Sequence, residues 1–425
     1  VKKLLAIVVV SGIGLADAHA QGRNDGSLYS RYGVGELHTF ASSRARSLGG
    51  DGIALFSHDY MNFANPGAWS RQSLVRVSAG ILFDRIRAQD NSGNSEQLIR
   101  GAFNAFQVGV PLLPNRLGLG LSLEPYSRMD YRVTTPGSLA VSGGDPMSYT
   151  VEHGGTGGLR QVRVGFGLRI RPWLSLGMSS DFLFGITEES RRTSFNTTDF
   201  LYTNVSTSTR YRGTTATGGV LMAFRNPVSE LTLGASASLP ASLNAERALT
   251  LGESLDRDTL GAQVYGELDL PASLRAGAAF KLRNNWLFAA SVRYEPWSQA
   301  SATLPVVGFS TAQLHDRLRY SGGIEWIPAG ISQLDSYVSR IAYRLGFYRD
   351  NLYVSPASAL GTKIDVMAMT GGLGLPTLFT GTRVDLVLEV GTRGTLDRNL
   401  VRDRFIGFSV TVNVGERWFI KRRLG

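Results

Sequence analysis

Period-two alternation is the feature of this sequence that most restricts its fold. From Arg383 to Gly391, Val384, Leu386, Leu388 and Val390 hold one parity while Arg383, Asp385 and Glu389 hold the other. A strand built from this run carries charge on one face and hydrocarbon on the opposite one. The pattern recurs with Val162, Val164, Phe166, Leu168 and Ile170 against Arg163, Gly165, Gly167 and Arg169. It returns with Trp286, Phe288, Ala290, Val292 and Tyr294 against Ser291, Arg293 and Glu295, and with Ile406 to Val414 against Gly407, Ser409, Thr411 and Asn413. Each run reaches the ~9–11 tilted residues that carry a strand through a bilayer.

Segments of this kind predict strands at 73–87, 97–111, 115–132, 158–171, 173–190, 207–225, 229–245, 262–283, 286–297, 314–327, 336–350, 362–376, 381–396 and 401–415. That is about fourteen, an even number as single-chain bacterial barrels have. Every second connection is tight and rich in turn residues: Pro111 to Asn115, Arg171-Pro172, Asn226-Pro227, Asn284-Asn285, Pro328 to Gln333 and Pro376 to Gly381. The intervening ones are mostly longer and more polar, as at Thr134 to Gly157, Arg191 to Ser206 and Ser298 to Gln313. Short turns on one side and long loops on the other are the asymmetry of outer-membrane barrels, with the short turns towards the periplasm. A soluble sandwich has no reason to sort its loops this way. Tyr126, Tyr131, Trp173, Trp286, Tyr294, Trp297, Trp326 and Trp418 fall near predicted strand ends, where interfacial aromatic girdles belong.

Composition agrees. Charged residues make up 18%, below the roughly 25% of soluble domains, and mean hydropathy is −0.03, as expected when lipid-facing and lumen-facing residues alternate. Lys2 and Lys3, the apolar stretch from Leu4 to Ala16 and Ala18-His19-Ala20 read as a signal peptide over residues 1–20. Beyond it no apolar run approaches the ~20 residues of a membrane helix. The chain has no Cys, which removes disulfides and thiolate chemistry. The net charge of +10 is spread over single Arg residues rather than gathered in a stripe, so it argues against nucleic acid and for lipopolysaccharide phosphates outside and anionic solutes inside.

Residues 21–72 lack strand periodicity. They hold Tyr29-Ser30-Arg31-Tyr32-Gly33, a small-residue run from Ala41 to Gly52, and Asn65-Pro66-Gly67, too apolar and aromatic for disorder. The expectation is a plug folded into the lumen of a barrel formed by 73–425. Pro66 biases Asn65 to extended geometry, so Asn65, Pro66 and Gly67 set the turn that feeds the plug into the first strand, with gating as the alternative role.

With a plug, about fourteen strands and this Asn-Pro turn, the chain resembles the long-chain fatty acid transporter (FadL) family. Asn62 to Ala68 is similar to that family's Asn-Pro-Ala element, with Gly67 in place of its Ala. Leu270 to Gly277, followed by Asn285-Trp286 and Tyr294-Glu295-Pro296-Trp297, resembles its mid-barrel hairpin. Tyr343 to Tyr348 and Gly371 to Pro376 resemble its later strands. The resemblance implies passive uptake of hydrophobic or amphipathic solutes through a barrel gated by its plug, sometimes laterally at a strand kink. It also implies relatives that transport nothing and serve as secretion partners.

Chemistry is sparse. His38, His58, His153 and His315 are dispersed without metal-ligand spacing, and His58-Asp59 has no nucleophile elbow or oxyanion hole nearby. No enzyme, metal or cofactor is expected. Lumen-facing Arg163, Arg169, Arg293, Glu325, Arg344, Arg383, Asp385 and Glu389 could line a solute path or act as paired struts for the plug, because buried charges need partners. The expected partners are outer-membrane lipid and lipopolysaccharide, a hydrophobic solute, and the barrel assembly machinery during biogenesis. An apolar pocket inside the lumen would favour transport; its absence would favour a structural or secretion-partner barrel.

Overall fold

A computed structural model describes residues 26–418 apart from 39, 58–59, 141–145, 197–201, 253–257, 311, 331, 333 and 380. The signal peptide of 1–20 and the His58-Asp59 pair lie outside the described residues. Among those described, fourteen spans close into one antiparallel barrel. They are β1 Val75–Gln89, β2 Ser95–Leu113, β3 Leu117–Pro125, β4 Met147–Arg171, β5 Leu174–Phe195 and β6 Thr203–Arg225, then β7 (Ser229–Ser238 and Ala241–Leu251) and β8 (Val264–Leu270 and Ser273–Leu282). β9 Trp286–Glu295, β10 Arg317–Trp326, β11 Ala342–Asn351, β12 Asp365–Pro376, β13 Arg383–Arg393 and β14 Arg402–Glu416 complete the ring. β14 pairs with β1 from Val75↔Glu416 to Gln89↔Arg402, which closes the wall and leaves no open edge in the membrane.

Alternation sorts the side chains as expected. On β13, Asp385, Val387 and Glu389 are buried while Leu388 and Val390 are about half exposed. In lipid such residues meet hydrocarbon, so their exposure costs nothing there. Asn226 makes a tight turn by accepting the Val228 and Ser229 N–H groups on Oδ1. At the β8–β9 turn, Arg283 and Asn284 both adopt positive φ, at 47° and 60°, and Asn284 is among the side chains that tolerate this best.

The structure departs from the expected strand layout in three places, and Trp297, expected at an interfacial girdle, is fully buried inside the ring. Much of 134–157 and 191–206, expected as loop, is strand: Tyr131–Leu139 pairs with the start of β4, and β4 runs 25 residues against β5. Thr and Ser fill these stretches, and with no apolar face they carry weak periodicity although their backbone pairs fully. Two expected single strands are interrupted, at Leu239-Pro240 and Pro271-Ala272, because Pro supplies no N–H to the ladder; the register nonetheless carries through, with Ser238 opposite Ser273 and Ala241 opposite Leu270. Residues 337–340, expected at the start of a strand, form a short helix.

The segment from Gly26 to Gln72 has most of its residues buried and bonds to inward-facing residues of strands on opposite sides of the ring. Its short helix α1 Ser43–Ser47 is capped by Ser42, whose side chain accepts from the Ala45 N–H.

Candidate functional site

Inward-facing positions of β10 to β14 carry acids and arginines, and the N-terminal segment presents the complementary groups. On α1, Arg44 forms a forked pair with Glu325, Nε to Oε2 at 2.9 Å and Nη2 to Oε1 at 2.5 Å. Arg344 bridges the wall, donating to Glu325 at 2.7 Å and to Asp385 at 2.7 Å. Asp385, fully buried, also accepts from Ser43 Oγ at 2.7 Å, Tyr60 Oη at 2.9 Å and Asn413 Nδ2 at 2.6 Å. Four donors saturate the carboxylate, which a charge removed from water requires.

A second group lies alongside. Arg46 donates to Glu389 at 2.9 Å, and Tyr348 donates to the other carboxylate oxygen at 2.5 Å. Arg319 stacks 3.7 Å above the Tyr348 ring, bonds Asp350 and also donates to the Gly49 carbonyl. Arg317 grips Asp350 with two bonds of 3.0 and 2.7 Å and reaches Glu295 at 3.2 Å. Arg293 pairs with the fully buried Asp51. Nearer the long-loop end, Glu36 accepts from both Arg100 and Arg393, and Arg100 also holds Asp84. Burial pushes the Glu36 carboxyl up, but Arg393 and Arg100 outweigh it and hold it well below the ordinary carboxylate range. Burial, with Arg128, Arg46 and Arg100 adding to it, keeps His38 neutral, its pKa down at about 3.

The opposite wall works by shape. Asn65 is fully buried; its Oδ1 accepts the Gly67 N–H at 3.0 Å and its Nδ2 donates to Val220 O at 2.9 Å and Ile53 O at 3.2 Å. Pro66 then opens a short 3-10 helix, Pro66–Arg71, at a position where no N–H is needed. The strands it crosses expose glycine to it. A Cβ at Gly177 would sit 2.3 Å from the Pro66 carbonyl carbon, and one at Gly219 would sit 2.3 Å from Asn65 Oδ1. Arg163 makes the polar contact on this side, gripping Asp181 with bonds of 2.7 and 3.0 Å and donating to Phe63 O at 2.6 Å.

Of the lumen charges singled out in the sequence, Arg163, Arg293, Glu325, Arg344, Asp385 and Glu389 therefore meet in these pairs. Arg169 and Arg383 line spaces open at the short-turn end. Sequence reasoning missed Asp51, Asp84, Arg44, Arg46 and Arg100. For Arg44 and Arg46 the available signal was a basic residue in a segment otherwise suited to burial; Arg100 lies on the wall strand β2. The glycine groove was half visible, since Gly165 and Gly167 share the parity of Arg163.

The free space that remains is unequal. Between Arg46, Arg319, Arg393, Glu36, Asp84 and Glu389 a space of about 120 Å³ is left, room for a few waters. Towards the long loops an apolar cluster of Val34, Trp297, Leu304, Leu314, Tyr353 and Val354 fills the interior, with the Trp297 and Tyr353 rings 4.1 Å apart. At the short-turn end a mouth of about 1210 Å³ opens, walled partly by Leu55, Phe56, Leu287, Leu375 and Val412 and partly by the charged group of Arg44, Glu325, Arg344 and Arg383. His315 bonds Ser355, and among the described residues no cluster of His, Asp and Glu could hold a metal.

Solved structures share this architecture. A Pseudomonas aeruginosa FadL homologue aligns with a TM-score of 0.57 and 11% identity, over 90% of this chain and 99% of that one. The Ralstonia pickettii toluene transporter TbuX gives 0.56 and 14% over 90% and 99%, and the P. putida toluene transporter TodX gives 0.54 and 14% over the same shares. At such identities the likeness is one of fold. No curated protein matches the chain. The model of one family, BamG, matches residues 1–425. A closed fourteen-strand barrel of FadL type, apolar outside and charged within, thus places the chain in the outer membrane, and it belongs to the BamG family.

Proposed function

We propose that residues 21–72 act as a plug that holds the lumen shut, and that the barrel serves as a structural or protein-assembly partner in the outer membrane rather than as a free-standing uptake channel. The observation that carries this reading is the use of the lumen charges. Six of the eight that could have lined a solute path are engaged in pairs that tie the plug and brace the wall. The space beside Glu389, about 120 Å³, falls short of the ~300 Å³ at which ligand pockets begin, while Glu325 and Arg344 border the wider mouth at the short-turn end. The BamG name, which points towards barrel assembly, supports the same reading. In this role Asn65, Pro66 and Gly67 anchor the plug to the wall.

A second reading is gated passage of a hydrophobic small molecule. It is favoured by the partly apolar mouth of about 1210 Å³ and by the toluene transporters of like fold; it requires the plug to let go of the wall. Two measurements separate the readings. Proteoliposomes with the intact protein should take up labelled toluene or fatty acid no faster than protein-free vesicles. Crosslinking in native outer membranes should recover barrel-assembly subunits with it. Saturable uptake by the intact barrel, without such partners, would establish the channel instead.

A further inference from the structure

On the outer surface of β1 the exposed side chains run Ile81, Phe83, then Arg85 and Arg87; on β14 they run Phe408, Ile406, then Arg404. Arg85 lies ten residues beyond Val75, the first residue at the short-turn rim. At ~3.4 Å per residue and a tilt near 40° this is about 26 Å of height, the thickness of the ~25 Å apolar band. The arginines therefore stand at the outer boundary of the hydrocarbon.

Arg87 is directly opposite Arg404 in the ladder, and Arg85 is two residues earlier on β1, opposite Ile406. Like charges placed opposite each other on adjacent strands destabilise the pair. Arg87 donates to Ser95 Oγ at 3.4 Å. Among the described residues none of the three has a carboxylate partner, although Glu96 stands on the same rim. This differs from the lumen, where acids answer the arginines. Below the three lies an open crevice of about 880 Å³ with an apolar floor of Phe347, Met367, Met369, Val390 and Ile406. It runs from β11 to β1 across four strand spacings, roughly 19 Å.

We infer that this is a binding site for a phosphorylated, multiply acylated glycolipid of the outer leaflet, the lipid A portion of lipopolysaccharide. Its phosphates bind Arg85, Arg87 and Arg404, each guanidinium able to offer two parallel N–H bonds to one phosphate, and its acyl chains lie on the Met367–Met369 floor. A headgroup carrying two phosphate monoesters answers a triple cation better than one phosphodiester does, and a floor this wide takes several chains.

The test is native mass spectrometry of the full-length detergent-solubilised protein with bisphosphorylated lipid A. Parallel arms use phosphate-free lipid A, phosphatidylglycerol and inorganic phosphate. Intact protein is expected to retain lipid A at least tenfold more than the other probes. R85S/R87S/R404S should lose that retention, the triple Lys variant should keep part of it, and R225S, exposed at the short-turn end, should keep all of it. Unfolding temperature in detergent verifies that each variant is folded; if the triple Ser variant fails, R85S/R404S replaces it. Equal lipid A retention by the Ser variant and the parent, equal binding with and without phosphate, or equal binding of phosphatidylglycerol would each overturn the assignment.

Discussion

The two sides of the lumen hold the same segment by different means. Along β10 to β14 the N-terminal segment meets charge: Arg44 on Glu325, Arg46 on Glu389, and Ser43 and Tyr60 on Asp385, beside close approaches of Ser47, Leu48 and Gly49 to Gly323, Gly346 and Gly372. Along β3 to β6 it meets glycine, with the backbone of Asn65 to Trp69 lying on the wall at Gly118, Gly167, Gly177 and Gly219. A charged contact has a high cost when one partner is lost but can part when both partners find water or new partners. A glycine contact is dispersion and shape, short-ranged and hard to reverse by chemistry. The charged side is thus the releasable one and the glycine side the anchor, which is the comparison the following experiments address.

The largest effect is expected from D385A. It strips Arg344, Tyr60, Ser43 and Asn413 of a shared acceptor and should cost about 3–5 kcal/mol, read as a fall in the unfolding temperature in detergent and as faster protease cleavage of the N-terminal segment. A drop no larger than that of a surface substitution would break the comparison from the charged side. Next comes G219V, which drives a side chain into Asn65 Oδ1 and the Pro66 ring and should cost about 1–3 kcal/mol. It should raise conductance in planar bilayers less than D385A does; the reverse order would make the glycine wall the gate. N65A removes the bond to the Gly67 N–H and those to Val220 O and Ile53 O, and a loss of about 1–2 kcal/mol is expected from the cap alone, by the same unfolding measurement.

Acidification should give the smallest change. His38 binds its proton near pH 6.5 when unfolded but only at about 3 in place, so the folded protein holds fewer protons between those values. Its stabilising share is complete above about pH 6.5 and declines as pH falls towards 3. His38 is only partly buried, and at pH 5.5 the loss should be about 1 kcal/mol or less. Glu36, held down by Arg393 and Arg100, adds a loss of the same sign below its ordinary range. Substitution H38Q should flatten the upper part of this dependence; an unchanged slope between pH 7 and 5.5 would remove His38 as its source.

Much of this architecture is readable from residue order because a barrel wall is a local object. Side-chain parity follows from the backbone repeat, so Val384, Leu386 and Leu388 had to oppose Asp385 and Glu389 whatever else the chain did. Turns at Asn226 and Asn284 rest on a few neighbouring residues. The strand extensions above the membrane were not readable, because stretches such as Thr203–Arg210 carry no apolar face to mark them yet pair fully with β5 and β7.

What the amino-acid order determined alone is the ring: its parity, its fourteen passes and the side that bears short turns. Only the tertiary structure decided which charges answer each other. Ser43 meets Asp385 from 342 positions away and Arg293 meets Asp51 from 242. No periodicity spans such separations, since the pairing depends on where barrel closure brings β9 and β13 around the segment inside. The same closure left Arg85, Arg87 and Arg404 together on the outer face, where no carboxylate among the described residues pairs with them.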